Sequence, residues 1–153
     1  MKTLLVLFAV ALPAAAQTKV AVIGLVHSHV WGQLARMVKN DPAQLVGIYD
    51  THPELIAEAK KLGAAESLFF DNYTKMLDQT KPDFVWAFVE NNRHLEIVKV
   101  CGPRKIHVIF EKPLASTSKD AREIRDLAQK YDIFVMTNYQ MAWWAANYTA
   151  KRL

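Results

Sequence analysis

The mostly apolar run at 106–110, Ile106-His107-Val108-Ile109-Phe110, ends abruptly in Glu111-Lys112-Pro113. A strand apolar on both faces needs cover from both sides, the condition of a central strand in a parallel sheet flanked by helices. Proline then ends the pairing, so an acid and an amine are delivered to the strand's carboxyl end. In an open α/β sheet that is the side on which ligands bind. A second run of the same kind, DFVWAFV at 83–89, predicts another strand buried on both faces.

Helix-like patterns separate such runs. The spacing predicts strands over 19–24, 45–49, 67–70 (the weakest), 83–89, 106–110 and 133–137. Val30, Leu34, Met37 and Val38 recur at helical spacing within 30–40. Pro53 suits a first helical position and Gly63 a helix stop, around Leu55, Ile56, Ala59 and Leu62. Short helices are expected around 73–79 and 92–101. Thr117 and Ser118 are placed to cap a helix whose apolar face is Ala121, Ile124, Leu127, Ala128 and Tyr131. Six strands alternating with helices predict an α/β fold, a doubly wound parallel sheet with right-handed crossovers.

The 153 residues suffice for one domain with a real core. The net charge of +4 is spread rather than clustered, which argues against a nucleic-acid footprint. A single cysteine, Cys101, excludes an internal disulfide and a multi-thiolate metal site. Residues 1–16 have the three parts of a secretory signal peptide: Lys2, an apolar stretch from Leu4 to Leu12, and Ala14-Ala15-Ala16. The stretch is too short for a stable membrane anchor, so the expected location is periplasmic or secreted. Residues 17–143 are expected to form a dinucleotide-binding domain. Residues 144–153 are expected to start the connection to a carboxyl-terminal substrate domain, because Trp143 and Trp144 would otherwise leave a costly apolar patch.

A strand ending in glycine and opening into a helix is where such a sheet holds phosphates, on free N–H groups at the positive end of the helix dipole. The usual fingerprint is G-x-G-x-x-G. Here Gly24-Leu25-Val26-His27-Ser28-His29 keeps the first glycine, with Val26 and His29 in the other two places. Ser28 and the histidines offer hydrogen bonds in compensation. Asp50, 26 positions after Gly24, is the acid expected to hold ribose hydroxyls, or else a turn aspartate capping the next helix. In the first role it repels a 2′-phosphate, so NAD is preferred over NADP. His27 and His29 are too few to hold zinc without a third ligand, for which His52 and His94 are the candidates, and no metal is expected.

Three segments together resemble the Gfo/Idh/MocA oxidoreductases, the glucose-fructose oxidoreductase and inositol dehydrogenase group: KVAVIG at 19–24, Asn91-Asn92-Arg93-His94, and KIHVIFEKPLA at 105–115. The resemblance covers about 19–143 and implies a Rossmann domain. It implies that Lys112 lies near the nicotinamide and the reacting carbon, with His94 close by, these two being the expected catalytic residues. Glu111 is implied to orient the lysine on the ribose side of the cofactor, and Pro113 to fix the turn. Val89, Asn91 and Asn138 are implied to line the cofactor with Gly24, Val26, His27, Ser28, His29 and Asp50. Val89 and Glu90 stand where the family has threonine and proline, and Ala142 where it commonly has arginine.

The implied activity is NAD-dependent oxidation of a sugar, polyol or inositol hydroxyl. The alternatives are glycoside cleavage by transient oxidation and elimination, or a non-catalytic carbohydrate-related binding protein. The implied partner is a small carbohydrate or polyol, with homo-oligomer contacts made by the second domain.

Overall fold

The computed structural model describes residues 17–40, 42–145, 149 and 151. The expected leader at 1–16 and most of 144–153 lie outside the described residues. Five parallel strands form one sheet: β1 (Lys19–Ile23), β2 (Gln44–Tyr49), β3 (Phe84–Ala87), β4 (His107–Glu111) and β5 (Val135–Asn138). Their order is β2-β1-β3-β4-β5. The sixth, expected at 67–70, is corrected. Glu66–Leu68 turns as a 3₁₀ helix, and only Phe69 reaches the sheet, bridging Ile48 beside β2. The 3₁₀ turn takes up the residues that would pair, yet the bridge keeps the spatial order of a doubly wound dinucleotide-binding sheet.

Alternation along the strands sorts the core into two layers. Val20 and Val22 of β1 join Leu34 and Met37 of α1 (Val30–Met37) and Ala59 of α2 (Pro53–Lys61) on one face. Ala21 and Ile23 join Val85, Val108 and Phe110 on the other. That second layer is covered by Met76 and Leu77 of α3 (Tyr73–Thr80), by Ile97, Val98 and Cys101 of α4 (His94–Cys101), and by Ile124 of α5 (Ser118–Tyr131). The chain changes faces between α2 and α3, so the crevice opens above the carboxyl ends of β1 and β3.

Local chemistry sets the helix ends where the sequence places them. Asn72 Oδ1 accepts from the Lys75 N–H at 2.9 Å, and Thr117 Oγ1 accepts from the Asp120 N–H at 3.1 Å. Pro53 opens α2, and Gly63 closes it at φ +97°. Among the described residues no helix is long and apolar enough to cross a membrane. Among the described residues nothing covers one face of the sheet beside β5: Phe134 is 78% exposed, and Met136 is exposed too.

Gly24 is the tightest point. It sits at φ +83°, and a Cβ there would lie 2.6 Å from Val89 Cγ1 and 2.9 Å from the Val89 nitrogen. Gly24→Ala is therefore expected to lower unfolding free energy by about 2–4 kcal/mol, from left-handed backbone strain plus overpacking against β3's exit. Urea unfolding measures it; a loss below about 0.5 kcal/mol would show that the turn relaxes freely.

Candidate active site

The turn after β1 is pinned from three sides. The Gly24 N–H donates to the Tyr49 carbonyl at 2.8 Å, the Leu25 N–H to Asp50 Oδ2, and the His27 N–H to the Phe88 carbonyl at 3.3 Å. The N–H groups of Val26 and Ser28 carry no partner among the described residues. Two free donors in a fixed turn just before α1 suit a pyrophosphate. Val26, where the fingerprint has its second glycine, has an exposed side chain lining the cleft beside this turn.

Of the two roles the sequence left open for Asp50, the structure shows the turn aspartate at the entry to α2. It is nearly buried at the cleft wall, and its Oδ1 accepts from the His52 N–H and meets His52 Nδ1, each at 2.7 Å. It caps the entry to α2 and braces the glycine turn with its other oxygen. Thr51, His52, Glu90 and Arg93 join Gly24, Val26, Asp50 and Val89 around this cleft. None of those first four stood out in the sequence as a cofactor contact. Thr51 and His52 directly follow the carboxyl end of β2, and Arg93 stands inside the Asn91–His94 motif.

Around Glu111 the second half of the site assembles. The strand carries Glu111 into register with Asn138 on β5, and Asn138 Nδ2 donates to Glu111 Oε1 at 2.7 Å. The other oxygen meets His29 Nδ1 at 3.0 Å. Glu111 is 1% exposed; a carboxylate so buried requires such partners. Next along the chain the Lys112–Pro113 peptide is cis. Lys112 is exposed, and with His29 it lines a cavity of about 460 Å³ walled by Asn138, Tyr139, Met141 and Trp144. That volume lies within the range of small-molecule sites.

Comparison with known proteins agrees with this geometry. Residues 18–139 match the model of the Gfo/Idh/MocA oxidoreductase family, NAD-binding Rossmann fold. The chain belongs to that family. An uncharacterized oxidoreductase of Streptococcus pneumoniae is 32% identical over 133 residues, which are 85% of this chain and 35% of that protein. The chain thus spans about a third of that relative's length. Among solved structures, the WlbA dehydrogenase from Bordetella pertussis, in complex with NADH and UDP-GlcNAcA, superposes with a TM-score of 0.78 at 21% identity, over 90% of this chain and 41% of that one. The scyllo-inositol dehydrogenase from Lactobacillus casei, with bound NAD(H) and scyllo-inositol, gives 0.75 at 19%, over 90% and 41%.

Within this Gfo/Idh/MocA domain two expected residues sit elsewhere. His94 is corrected as a catalytic residue. It is fully buried, its ring stacks on Phe110 with centroids 4.1 Å apart, and its Nδ1 meets the Leu114 carbonyl at 3.0 Å. Burial lowers its pKa and keeps it neutral; it holds the turn that carries Lys112 from behind. Asn91 lies in a 3₁₀ turn (Asn91–Arg93) and lines neither the cleft nor the cavity. Ser28 stands exposed at the loop tip, contributing its backbone.

His27 and His29 do gain a third neighbour, but it is Glu111, not His52 or His94; ligand atoms of the three lie within 4.8 Å of one another. His27 Nδ1 accepts the His29 N–H at 3.2 Å, Glu111 is held by His29 and Asn138, and Lys112 adds positive charge nearby. The trio is a hydrogen-bonded cluster at the mouth of the crevice, next to Lys112.

The hydrogen bond His52 donates to Asp50, then the Asp50 charge, raise the His52 pKa above the ordinary 6.5. Because the folded value is the higher one, the pair's stabilisation is full below about pH 6.5 and fades as pH rises through the His52 pKa. An NMR titration should give a His52 midpoint above 6.5 that falls back in Asp50→Asn. An unchanged midpoint in the variant would remove the pairing.

Proposed function

We propose that this domain serves an exported NAD-dependent oxidoreductase acting on a secondary hydroxyl of a sugar, polyol or inositol. The observation that carries the proposal is Lys112. Its amine is presented at the carboxyl end of β4 beside the glycine turn and has no ion-pair or hydrogen-bond partner among the described residues. An amine held there can grip the oxygen of a carbinol and stabilise the charge that grows on it.

The free N–H groups of Val26 and Ser28 would hold the cofactor's pyrophosphate, and the cleft at Asp50 and Thr51 its adenosine ribose. When bound, NAD accepts the hydride that leaves the carbinol carbon. The chain's own groups place the hydroxyl against Lys112 and shield the cavity with Tyr139, Met141 and Trp144. The dehydrogenases of inositol and of a nucleotide sugar that share this fold support the substrate class. Export rests on the leader-like residues 1–16. A homo-oligomer would be built by the larger remainder that the relatives possess.

Full-length protein should bind NAD in calorimetry, more tightly than NADP, and reduce it with at least one member of an inositol, aldose and nucleotide-sugar panel. Lys112→Ala should keep NAD affinity within about threefold and lower kcat by roughly 10²–10⁴. No NAD binding, or full turnover in the variant, would end this proposal. Cleavage of a glycoside without net NADH would redirect it to transient oxidation.

A further inference from the structure

We infer that the His52 ring closes the adenosine end of the crevice over the Asp50 carboxylate, so that a dinucleotide reaches this acid only by displacing the imidazole. His52 is thereby a positioning residue for cofactor choice, and the inference rests on the NAD-dependent reading above. The acceptor count of Asp50 carries it. A carboxylate has about four lone-pair sites on its two oxygens. Oδ2 takes the Leu25 N–H, while Oδ1 takes the His52 N–H and meets His52 Nδ1, each at 2.7 Å. With the ring in place the Asp50 side chain is 3% exposed, against 45% for His52 itself. The space between Gly24, Asp50, Val89 and Arg93 is about 10 Å³, room for about one water molecule and none for a ribose. Two of the three donors on Asp50 are backbone groups, fixed by the turn after β1 and by the entry to α2. The imidazole alone rides on a rotatable side chain, and it has no other hydrogen-bond partner among the described residues. It makes no cap hydrogen bond to α2 either, so moving it bares the acid and leaves the helix start intact.

The exchange is linked to a proton. Acids face the ring from three elements: Asp50 at the end of β2, Glu54 on α2 and Glu90 after β3. Arg93 lines the same cleft, but Glu90 at 3.8 Å and Glu96 at 3.4 Å hold it. While the cleft is closed, the hydrogen bond to Asp50 keeps the His52 pKa above the ordinary 6.5. Moving the ring off Asp50 lets that value fall back, so cofactor binding releases a proton. Below about pH 6.5 the imidazolium grips the acid and its displacement costs most; affinity then rises as pH climbs through the closed-state pKa. An acid paired with an imidazolium also repels a 2′-phosphate less than a bare one does. His52 therefore narrows the margin between NAD and NADP, most of all on the acid side.

The test is calorimetry of NAD and NADP on the full-length protein and on its His52→Ala variant, between about pH 6 and about pH 8.5. In the unsubstituted protein NAD affinity should rise about three- to tenfold across that range, the size of one net hydrogen bond. Buffers of different ionisation enthalpy should register the released proton. His52→Ala should bind NAD about three- to tenfold more tightly at the acid end, with a flatter pH profile, less proton release and a wider preference for NAD over NADP. Equal NAD affinity and an equal pH profile in the two proteins overturn the inference and leave the oxidoreductase reading standing. So does weaker NAD binding in His52→Ala, which makes the ring a ribose ligand rather than a cover. Binding of NAD by neither protein removes the oxidoreductase reading and this inference with it.

Discussion

A carboxylate with almost no access to water organises the reactive half of this domain. Leaving Glu111 buried without partners would cost several kcal/mol, so its two oxygens draw in groups from two distant parts of the chain. One is His29 on the loop after β1, and the other is Asn138 on β5. The sheet supplies the approach: parallel register brings Asn138 level with Glu111, and the order β1-β3-β4-β5 lets the β1 loop lean across β3 to reach β4's end. The amine that follows in sequence is thereby carried to the cavity. His94 completes the support from beneath by holding the Leu114 carbonyl.

The adenosine-side cleft uses a second buried acid in a parallel way. Asp50 ties the first residue after Gly24 to the start of α2, while Val89 presses against Gly24 so closely that no side chain fits. Each half of the crevice is thus a loop stitched to a neighbouring strand end by an acid at a strand terminus. These contacts fix the loop that carries Val26 and His29 where the fingerprint has glycine, and leave the N–H groups of Val26 and Ser28 without a partner among the described residues.

The architecture was largely legible because period-two and period-3.6 apolar patterns, prolines and caps are local signals that agree with one another. Pro53, Gly63 and Thr117 do in space what their types imply. The segment from Ser67 to Phe70 is apolar enough to pair, but the 3₁₀ turn from Glu66 to Leu68 takes most of it and leaves only Phe69 to bridge. Strand ends were less legible still: β4 runs through Glu111 and β5 through Asn138, one residue beyond each expected end. Gly24, Asp50, Glu111 and Lys112, singled out in the sequence, all stand at or just past carboxyl ends of strands. His94 misled because a helix-start position says nothing about which way a ring turns, and here it turns inward onto Phe110. Arg93, its neighbour, is the one that faces the cleft.

The bare face beside β5 has a bearing on how this domain behaves in concentrated solution. Phe134, Met136 and Trp144 put oily surface next to β5, which has no further strand beside it among the described residues. Contact between molecules through such a corner is driven by water release, so it weakens on chilling and strengthens with added sulfate. Colloidal behaviour of this polypeptide will therefore follow temperature and salting-out strength more than its modest positive charge.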